Sequence, residues 1–494
     1  MESLSGWWAR QNQAPPSNSV EAPLLSQSQV SGSSSPSLRA SRLLRSRPVL
    51  WLSVCLAVYL VILIDRNYVR EIKPGSSSTF HLVNAVAARA CTTLPPSLGG
   101  LRSALCTKFE ERITEIEKGI ERDELIKELK IKESVNEEIG EIGIEMDRMM
   151  GSERCERVFP NLYNELDRVV DVYGKGKNIS LSQLDEAIKH GHARVLIYHN
   201  RVYIKQFNGG PGKRTEAILN SIQEAVITSP ERLPNVEFVI KTTDAPVQDD
   251  DRYPLWVLDR TSNQEEVWLM PDFGFYAWPE PKVGSMIEVR DKCAKVEREL
   301  SWSKKITKAF WRGAILVKLR EQMIEIAKHH EWNDIKPLVW QHLDGLLTSL
   351  ENHCRYKYVI HAEGYAYSGR LKYLQMCRSV VVSHEMKFIQ HFHHLLDSDP
   401  DSPTQNIALA SGPGFEGLPD LMDKLIHDDA RAELIANNSV RLFRHYLSPA
   451  GISCYWREMF RSWSKVQGFE PIRQHNDTAF ESFNLMHTVH WNPH

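Results

Sequence analysis

A strand, a glycine-containing loop and a cationic helix start follow one another in the second half of the chain. Residues 356–361 are predicted as a strand, Gly364 lies in the loop after it, and Ser368 can cap the next helix. Arg370 and Lys372 lie in the first turn of that predicted helix. Free N–H groups and the positive end of a helix favour a phosphate, and arginine can donate two hydrogen bonds to a diphosphate. The pattern predicts a diphosphate site; an ordinary capped helix with surface cations is the alternative.

A second cationic position follows another short apolar strand. That strand is predicted to end at Trp311, so that Arg312 and Gly313 come at its carboxyl end. Ligands of parallel α/β sheets bind beyond the carboxyl ends of strands, and glycine lets the backbone approach a ligand closely. Arg312 is therefore predicted to reach a bound phosphate, although a surface arginine beside a turn has the same pattern.

A carboxylate follows a third strand. Asp244 comes just after residues 236–240, which are uniformly apolar apart from one glutamate, and before Pro246. An aspartate in this position can act as general base towards an incoming hydroxyl group. The alternative is a plain turn, because aspartate before a proline often makes one.

Other groups of ligand-type side chains are interpreted without a metal. Two acidic groups, residues 249–251 and 397–399, lie in loops rich in Asp and Pro, where solvated turns are the usual outcome. The histidines of residues 391–394 fall on a predicted amphipathic helix. No metal and no cofactor are predicted.

The surrounding pattern alternates strands and helices, which predicts an α/β fold with mostly parallel sheets. Besides the strands above, a hairpin is predicted over 193–205 with His199 and Asn200 near its turn, and strands over 267–270 and 379–383. Helices are predicted over 214–228, 282–300, 314–330, 369–377, 418–427 and 429–447.

The overall composition and charge do not support nucleic-acid binding. Of the 494 residues 42% are hydrophobic and 25% charged, which is typical of a globular protein. The formal net charge of −3 gives no electrostatic support for nucleic-acid binding.

The first part of the chain predicts a membrane anchor. Residues 1–47 are rich in Ser, Pro and Gln and are expected to be disordered, whereas residues 48–64 are seventeen uncharged and mainly apolar residues. Four arginines precede this run: Arg39, Arg42, Arg45 and Arg47. The positive-inside rule then keeps the N-terminus cytosolic and places the rest in the lumen, as in a type II membrane protein. A cleaved signal peptide and a buried core helix are the alternatives.

Residues 65–154 are expected to form a stem with a helical segment. Apolar residues recur at helical spacing at Phe109, Ile113, Ile116 and Ile120. A solvated helical stem is favoured over a dimerisation helix, because Gly119, Gly140 and Gly143 interrupt the pattern.

Cysteines and sequons agree with a lumenal location. Cys55 lies in the predicted span; seven cysteines follow it, without the C-x-x-C spacing of zinc sites, so disulfides are expected and one thiol is left over. The pairing of Cys91, Cys106 and Cys293 stays open. N-glycosylation is predicted at Asn178, Asn437 and Asn476.

Five segments, taken together and in order, resemble glycosyltransferase family 90, which includes animal protein O-glucosyltransferases (Rumi) and fungal capsule xylosyltransferases. The resemblance extends over about residues 155–468, and its marks are residues 233–244, 302–313, 353–358, 368–374 and 452–456. Residues 272–279 look like the version found in fungal members.

This resemblance implies a GT-B-like architecture with two Rossmann-like lobes and metal-independent, inverting transfer from UDP-glucose or UDP-xylose. The lobes are expected over 155–295, with the base and the acceptor, and over 296–468, with the donor and closing C-terminal helices, followed by a tail over 469–494. By motif, Asp244 matches the catalytic base. Six further residues match the family's UDP-contacting positions or lie next to them: Arg312, Gly313, Gly364, Ser368, Arg370 and Lys372.

The resemblance also implies the disulfide Cys354–Cys377 and a partner for Cys454, with Cys155 as the candidate. Two positions depart from the animal enzymes: Glu363 stands where they have an arginine, and Thr243 replaces an arginine beside the base. The acceptor, whether glycan or protein, and the choice between Golgi and endoplasmic reticulum stay open.

The sequence leaves two alternative functions. One is a membrane-anchored, inactive sugar-binding or scaffold protein of the same fold, which need not turn over a UDP-sugar. The other is a lumenal glycosidase, which would need two carboxylates flanking the bond and no diphosphate site.

Overall fold

A computed structural model describes residues 143–174, 176–244, 253–278, 280, 283–339 and 347–488. Residues 1–47, predicted to be a disordered cytosolic tail, the predicted anchor over 48–64 and all but the end of the predicted stem lie outside these residues. In the part of the chain that the model covers, no helix is both long and apolar enough to cross a bilayer.

Helices and strands alternate along the chain, so the protein has an α/β fold. The helices are α1 Ser152–Val158, α2 Asn164–Tyr173, α3 Leu181–Ala187, α4 Arg214–Ile227, α5 Met286–Glu299, α6 Lys318–Ala327, α7 Leu371–Leu374, α8 Leu418–His427, α9 Asp429–Tyr446, α10 Pro449–Val466 and α11 Phe480–Thr488. The strands are β1 Ala193–Tyr198, β2 Arg201–Phe207, β3 Val236–Ile240, β4 Leu255–Val257, β5 Trp268–Leu269, β6 Ala277–Trp278, β7 Gly284–Ser285, β8 Ile306–Gly313, β9 Asn333–Pro337, β10 Tyr356–His361, β11 Val380–Ser383, β12 Ala408–Leu409 and β13 Thr478–Ala479.

The first sheet has the strand order β13-β2-β1-β3-β4-β5 and is mixed. The predicted hairpin is confirmed: His199 and Asn200 form its two-residue turn with φ of 49° and 57°. The expectation of mostly parallel pairing is wrong for this sheet, because the tight turn makes β1 and β2 antiparallel and β1 also pairs antiparallel with β3. Only β3, β4 and β5 run parallel here.

The second sheet has the order β12-β11-β10-β8-β9, and all its pairs are parallel. Since β8 and β10 are neighbours, their carboxyl ends meet at one edge. Gly313, at the end of β8, and His361, at the end of β10, bring the loops of the predicted donor site to that edge.

Helix α10 packs on the first sheet, although it follows the second sheet in sequence. Trp463 lies edge-on to Trp256 and Trp268, with ring centroids 5.5 and 5.0 Å apart. Phe460 stacks on Phe238 at 6.2 Å, and the disulfide Cys155–Cys454 ties the same helix to α1. Helix α10, one of the predicted closing C-terminal helices, therefore packs in the core beside the first sheet.

Residues 469–494, expected as a tail, contain structure. Strand β13 adds to the first sheet by pairing with β2, and the buried rings of Phe480 and Phe483 fix α11 on that core. These two elements were not predicted, because a two-residue strand carries no periodic signal in the sequence.

Candidate active site

Two arginines meet at the carboxyl edge of the second sheet. Arg370 donates from Nη1 to the carbonyl oxygen of Arg312 at 2.6 Å. Burial lowers the pKa of Arg370 to about 10, so it stays protonated at neutral pH. The structure thus brings together two of the residues that the sequence predicted as donor ligands.

Arg312 is held by the neighbouring strand. Its guanidinium lies 4.3 Å from the centre of the Phe310 ring and donates from Nη2 to Asp334 Oδ1 at 2.7 Å. Tyr356 also donates to Asp334, at 2.9 Å. Desolvation raises the pKa of Asp334, but hydrogen bonds from Arg312 and Tyr356 outweigh it, and the net shift is downward. Asp334 is a partner of the site that sequence patterns did not indicate.

The helix after the predicted phosphate loop is shorter than expected. It extends over Leu371–Leu374 and not over 369–377, and Ser368 does not cap it with its side chain. Instead, the Ser368 carbonyl accepts from the Leu371 N–H at 3.2 Å. A single helical turn has little macrodipole, so positive charge at this site comes mainly from the arginine side chains.

Two predicted glycines lie where a side chain would collide or crowd. A Cβ on Gly313 would lie 2.5 Å from the Trp311 ring, and one on Gly364 would lie 3.3 Å from Arg320 Nη2. Arg320 donates to the carbonyl oxygens of Ala362 and Glu363 at 3.0 and 2.9 Å, which fixes the path of this loop.

Lys372 lies in a buried ion pair. Its ammonium donates to Asp272 Oδ2 at 2.9 Å and to the Gly369 carbonyl at 2.6 Å, and both charged side chains are 0–1% exposed. Gln390 also donates to Asp272. Lys372 thereby joins α7 to the segment before β6, and its role as a donor ligand stays a prediction.

Asp244 lies just beyond β3 and pairs with Arg214, the first residue of α4. The Asp244 side chain is 41% exposed, whereas that of Arg214 is 16% exposed. A partly exposed carboxylate held by one cation can receive a proton from a hydroxyl group. Arg214 was not among the predicted site residues; its position at the start of a predicted helix after a Gly-Gly-Pro-Gly loop was the available signal.

Glu363 has a structural role in this chain. Its buried carboxylate accepts from the backbone N–H groups of Lys387 and Phe388 at 3.0–3.2 Å. Its own N–H donates to His384 Nε2 at 3.3 Å, and burial lowers the pKa of that histidine. The glutamate therefore ties the loop after β10 to the loop after β11.

Asp259 is a second buried carboxylate beside this loop. Its side chain is 2% exposed, and Oδ2 has no hydrogen-bond partner among the described residues. Burial raises its pKa to about 8; a hydrogen bond from the Tyr367 N–H opposes this, and Glu363 and Asp272 reinforce it. Asp259 is therefore largely protonated at neutral pH.

Among the described residues, one group of potential metal ligands contains a disulfide. The sulfurs of Cys293, Cys354 and Cys377 lie within 4.8 Å of one another, but Cys354 and Cys377 form a disulfide. The segment of His391 and His393 contains a 3-10 turn and not the expected amphipathic helix, and burial lowers the pKa of both histidines. Both are neutral; His391 is buried and His393 is partly buried.

Two of the sequon asparagines, Asn178 and Asn476, are exposed outside helices and strands. Asn437 is half-buried within α9. The two disulfides of the described residues, Cys354–Cys377 and Cys155–Cys454, are the pairs that the resemblance implies.

A cavity of about 360 Å³ lies beside the segment that Lys372 holds. Phe275, Tyr276 and Trp456 are among the residues that line it, and the predicted donor ligands are not. The predicted site thus does not coincide with this cavity.

Residues 151–489 match the family described as Glycosyl transferase family 90, which is most of the chain and includes both sheets. The chain belongs to this family. It is a glycosyltransferase. The O-glucosyltransferase rumi of Drosophila melanogaster is 24% identical over 62% of this chain and 77% of its own length. Protein O-glucosyltransferase 1 of Homo sapiens is 23% identical over 49% of this chain and 66% of its own.

Among solved structures, Anabaena HepE in complex with UDP-glucose aligns with a TM-score of 0.29. Sequence identity in that alignment is 10%, over 51% of this chain and 76% of HepE. A likeness at this level adds nothing to the description of the fold.

Proposed function

We propose that this family 90 enzyme transfers glucose or xylose from a UDP-sugar to a hydroxyl group of a glycan or protein. The proposal includes a GT-B-like cleft between the two sheets, inversion at the anomeric carbon and no requirement for a metal ion. The observation that supports it most is the meeting of Arg370 and Arg312 at the carboxyl edge of the second sheet; Asp244 lies just beyond β3 of the first sheet, paired with Arg214.

The proposed reaction is a single displacement. Asp244 takes the proton of the acceptor hydroxyl while its oxygen forms a bond to the anomeric carbon. The bond from that carbon to the diphosphate oxygen breaks on the opposite face, and UDP leaves as the anion. Arg370 and Arg312 stabilise the negative charge that develops on the leaving group.

The donor assignment is supported by the names of the relatives, several of which are O-glucosyltransferases. Glucose and xylose differ by one hydroxymethyl group, and Glu363 and Thr243 depart from the animal pattern near this site. Both sugars are therefore included in the proposal.

We also propose that the enzyme is a single-pass type II protein of the Golgi or endoplasmic reticulum membrane, anchored by residues 48–64. The two disulfides of the described residues suit an oxidising compartment, and Cys293 is a buried thiol with no disulfide partner in that part of the chain. Exposed Asn178 and Asn476 are compatible with lumenal glycosylation.

The test of the base is Asp244→Asn, assayed with a panel of UDP-sugars in the presence and absence of EDTA. We expect kcat to fall by about 10²–10⁴-fold, because a general base contributes that much, while the Kd for UDP stays within about twofold. Asp420→Asn, at an exposed position on α8, is the matched control and should behave as wild type. Normal turnover by the Asp244 variant would exclude this base, and strict dependence on manganese would exclude the metal-independent mechanism.

A further inference from the structure

Arg214 is the one described cation in an ion pair with Asp244. It is the first residue of α4 and comes from the same lobe as Asp244, thirty positions earlier in the chain. Its neighbour Lys213 instead pairs with Glu216 on the solvent side at 3.0 Å. Two adjacent cations thus have different surroundings.

Hydrogen bonds hold the start of α4 against the end of β3. Thr215 and Thr242 share a hydrogen bond of 2.8 Å between their buried hydroxyl oxygens, and Thr242 also contacts His192 Nδ1 at 2.8 Å. Gly210 lies so close that a Cβ there would be 2.1 Å from Thr215 Oγ1, and its φ of +146° also favours glycine. The two segments that bring Arg214 to Asp244 therefore have a fixed relative position.

The other side of Arg214 faces the segment that contacts the donor loop. Its guanidinium lies 4.6 Å from the centre of the Phe273 ring. Phe273 lies between Asp272, which pairs with Lys372, and Gly274, whose carbonyl accepts from Tyr373 at 2.9 Å. Arg214 is thus supported by a segment that is itself attached to α7 of the second sheet.

The charges that face Arg214 come from three segments. Asp244 pairs with it from the segment after β3, Asp272 and Glu280 act on it from the segment around β6, and Tyr367 acts on it from the loop before α7. Lys372 also influences this group, as a like charge. Desolvation is the largest influence on the pKa of Arg214 and lowers it, but an arginine still stays protonated.

We propose that Arg214 is the positioning residue of Asp244: it holds the carboxylate ionised and oriented towards the cleft, and it makes that orientation depend on the contact between the two sheets. This inference rests on the proposed role of Asp244 as base. The physical reason is that a cation in contact favours the charged form of a carboxylate and restricts its rotation.

The test uses Arg214→Gln and Arg214→Lys in the full-length enzyme, with Lys213→Gln as the matched control. For Arg214→Gln we expect kcat to fall about 10–100-fold, because misplacement of a reacting group has costs of this size. The acidic limb of the pH profile of kcat/KM should move up by about one pH unit or more, since loss of the cation raises the pKa of the base. In Arg214→Lys the acidic limb should return most of the way to its wild-type position. Lys213→Gln should have the kcat and pH profile of wild type, and the Kd for UDP should stay unchanged.

A double-mutant cycle separates this inference from the proposed function. In the Asp244→Asn background, Arg214→Gln should cause no further loss of kcat, because Arg214 acts through Asp244. A further loss of the full size would overturn the inference, as would a folded Arg214→Gln enzyme with unchanged kcat and pH profile. Normal activity of Asp244→Asn alone would instead overturn the base. If Arg214→Gln does not fold, Arg214→Lys decides: an acidic limb displaced upwards by about one pH unit or more, although the lysine keeps the positive charge, would count against the inference.

Discussion

Replacing Lys372 with methionine tests whether this lysine holds the two sheets together. Methionine is apolar and has a similar length, so the change removes the ammonium and leaves Asp272 buried without its cation. Both side chains are 0–1% exposed, and the pair is 2.9 Å long. Breaking a buried pair in this way costs about 3–5 kcal/mol, because the remaining charge is uncompensated. Because both side chains are buried, solvent screening does not reduce this cost in stability.

The measurement is the free energy of unfolding from urea titration of the purified protein, together with the Kd for UDP of the folded variant. We expect the loss of stability given above and a Kd within about threefold of wild type. Lys465→Met is the control: Lys465 is 57% exposed and pairs with Glu458 at 3.4 Å, so its loss should cost less than about 1 kcal/mol.

Two results would refute this reasoning. A stability loss within about 1 kcal/mol for Lys372→Met would mean that the pair with Asp272 is not a structural contact of the kind described. The other result is an unchanged free energy of unfolding together with a Kd for UDP that is raised tenfold or more, which is about 1.4 kcal/mol of binding free energy. It would show that Lys372 is a donor ligand, as the sequence predicts.

Two further predictions concern stability. Replacing Cys155 and Cys454 with serine should lower the free energy of unfolding by about 2–5 kcal/mol, since the disulfide closes a very long loop, with a separation of 299 residues; an unchanged urea midpoint would contradict this. The second prediction concerns Asp259, whose pKa is raised to about 8 from an ordinary value near 4. Between these two pH values the folded chain keeps a proton that the unfolded chain releases. The free energy of unfolding therefore falls as pH rises through this window, by up to about 1.4 kcal/mol per pH unit. Asp259→Asn should therefore lose less stability between pH 5 and pH 7.5 than wild type, and equal losses would exclude the raised pKa.

The sequence by itself determined the local structure and the type of chemistry. Strong patterns gave β3 and β10 with their observed bounds, and α4 to within one residue, because alternation, apolar runs and caps act between near neighbours. The five ordered segments indicated the family, and with it a base at Asp244 and an arginine-rich donor loop. These features depend on residues that lie close together in the chain.

Tertiary structure decided which residues face one another. Lys372 meets Asp272 across 100 residues, and Arg214 meets Asp244 where a hydrogen bond between Thr215 and Thr242 joins the start of α4 to the segment after β3. Patterns of hydrophobicity do not encode such partners: a buried cation next to a predicted phosphate loop has the same sequence signal whether it contacts ligand or protein.

The same limit applies to the assignment of elements to lobes. Helix α10 and strand β13 follow the second sheet in sequence yet complete the first, since the aromatic face of α10 and the free edge of β2 find their partners there. Burial of apolar surface favours whichever neighbour fits, regardless of its position in the chain. The sequence thus determined what each element is, and packing determined where it lies.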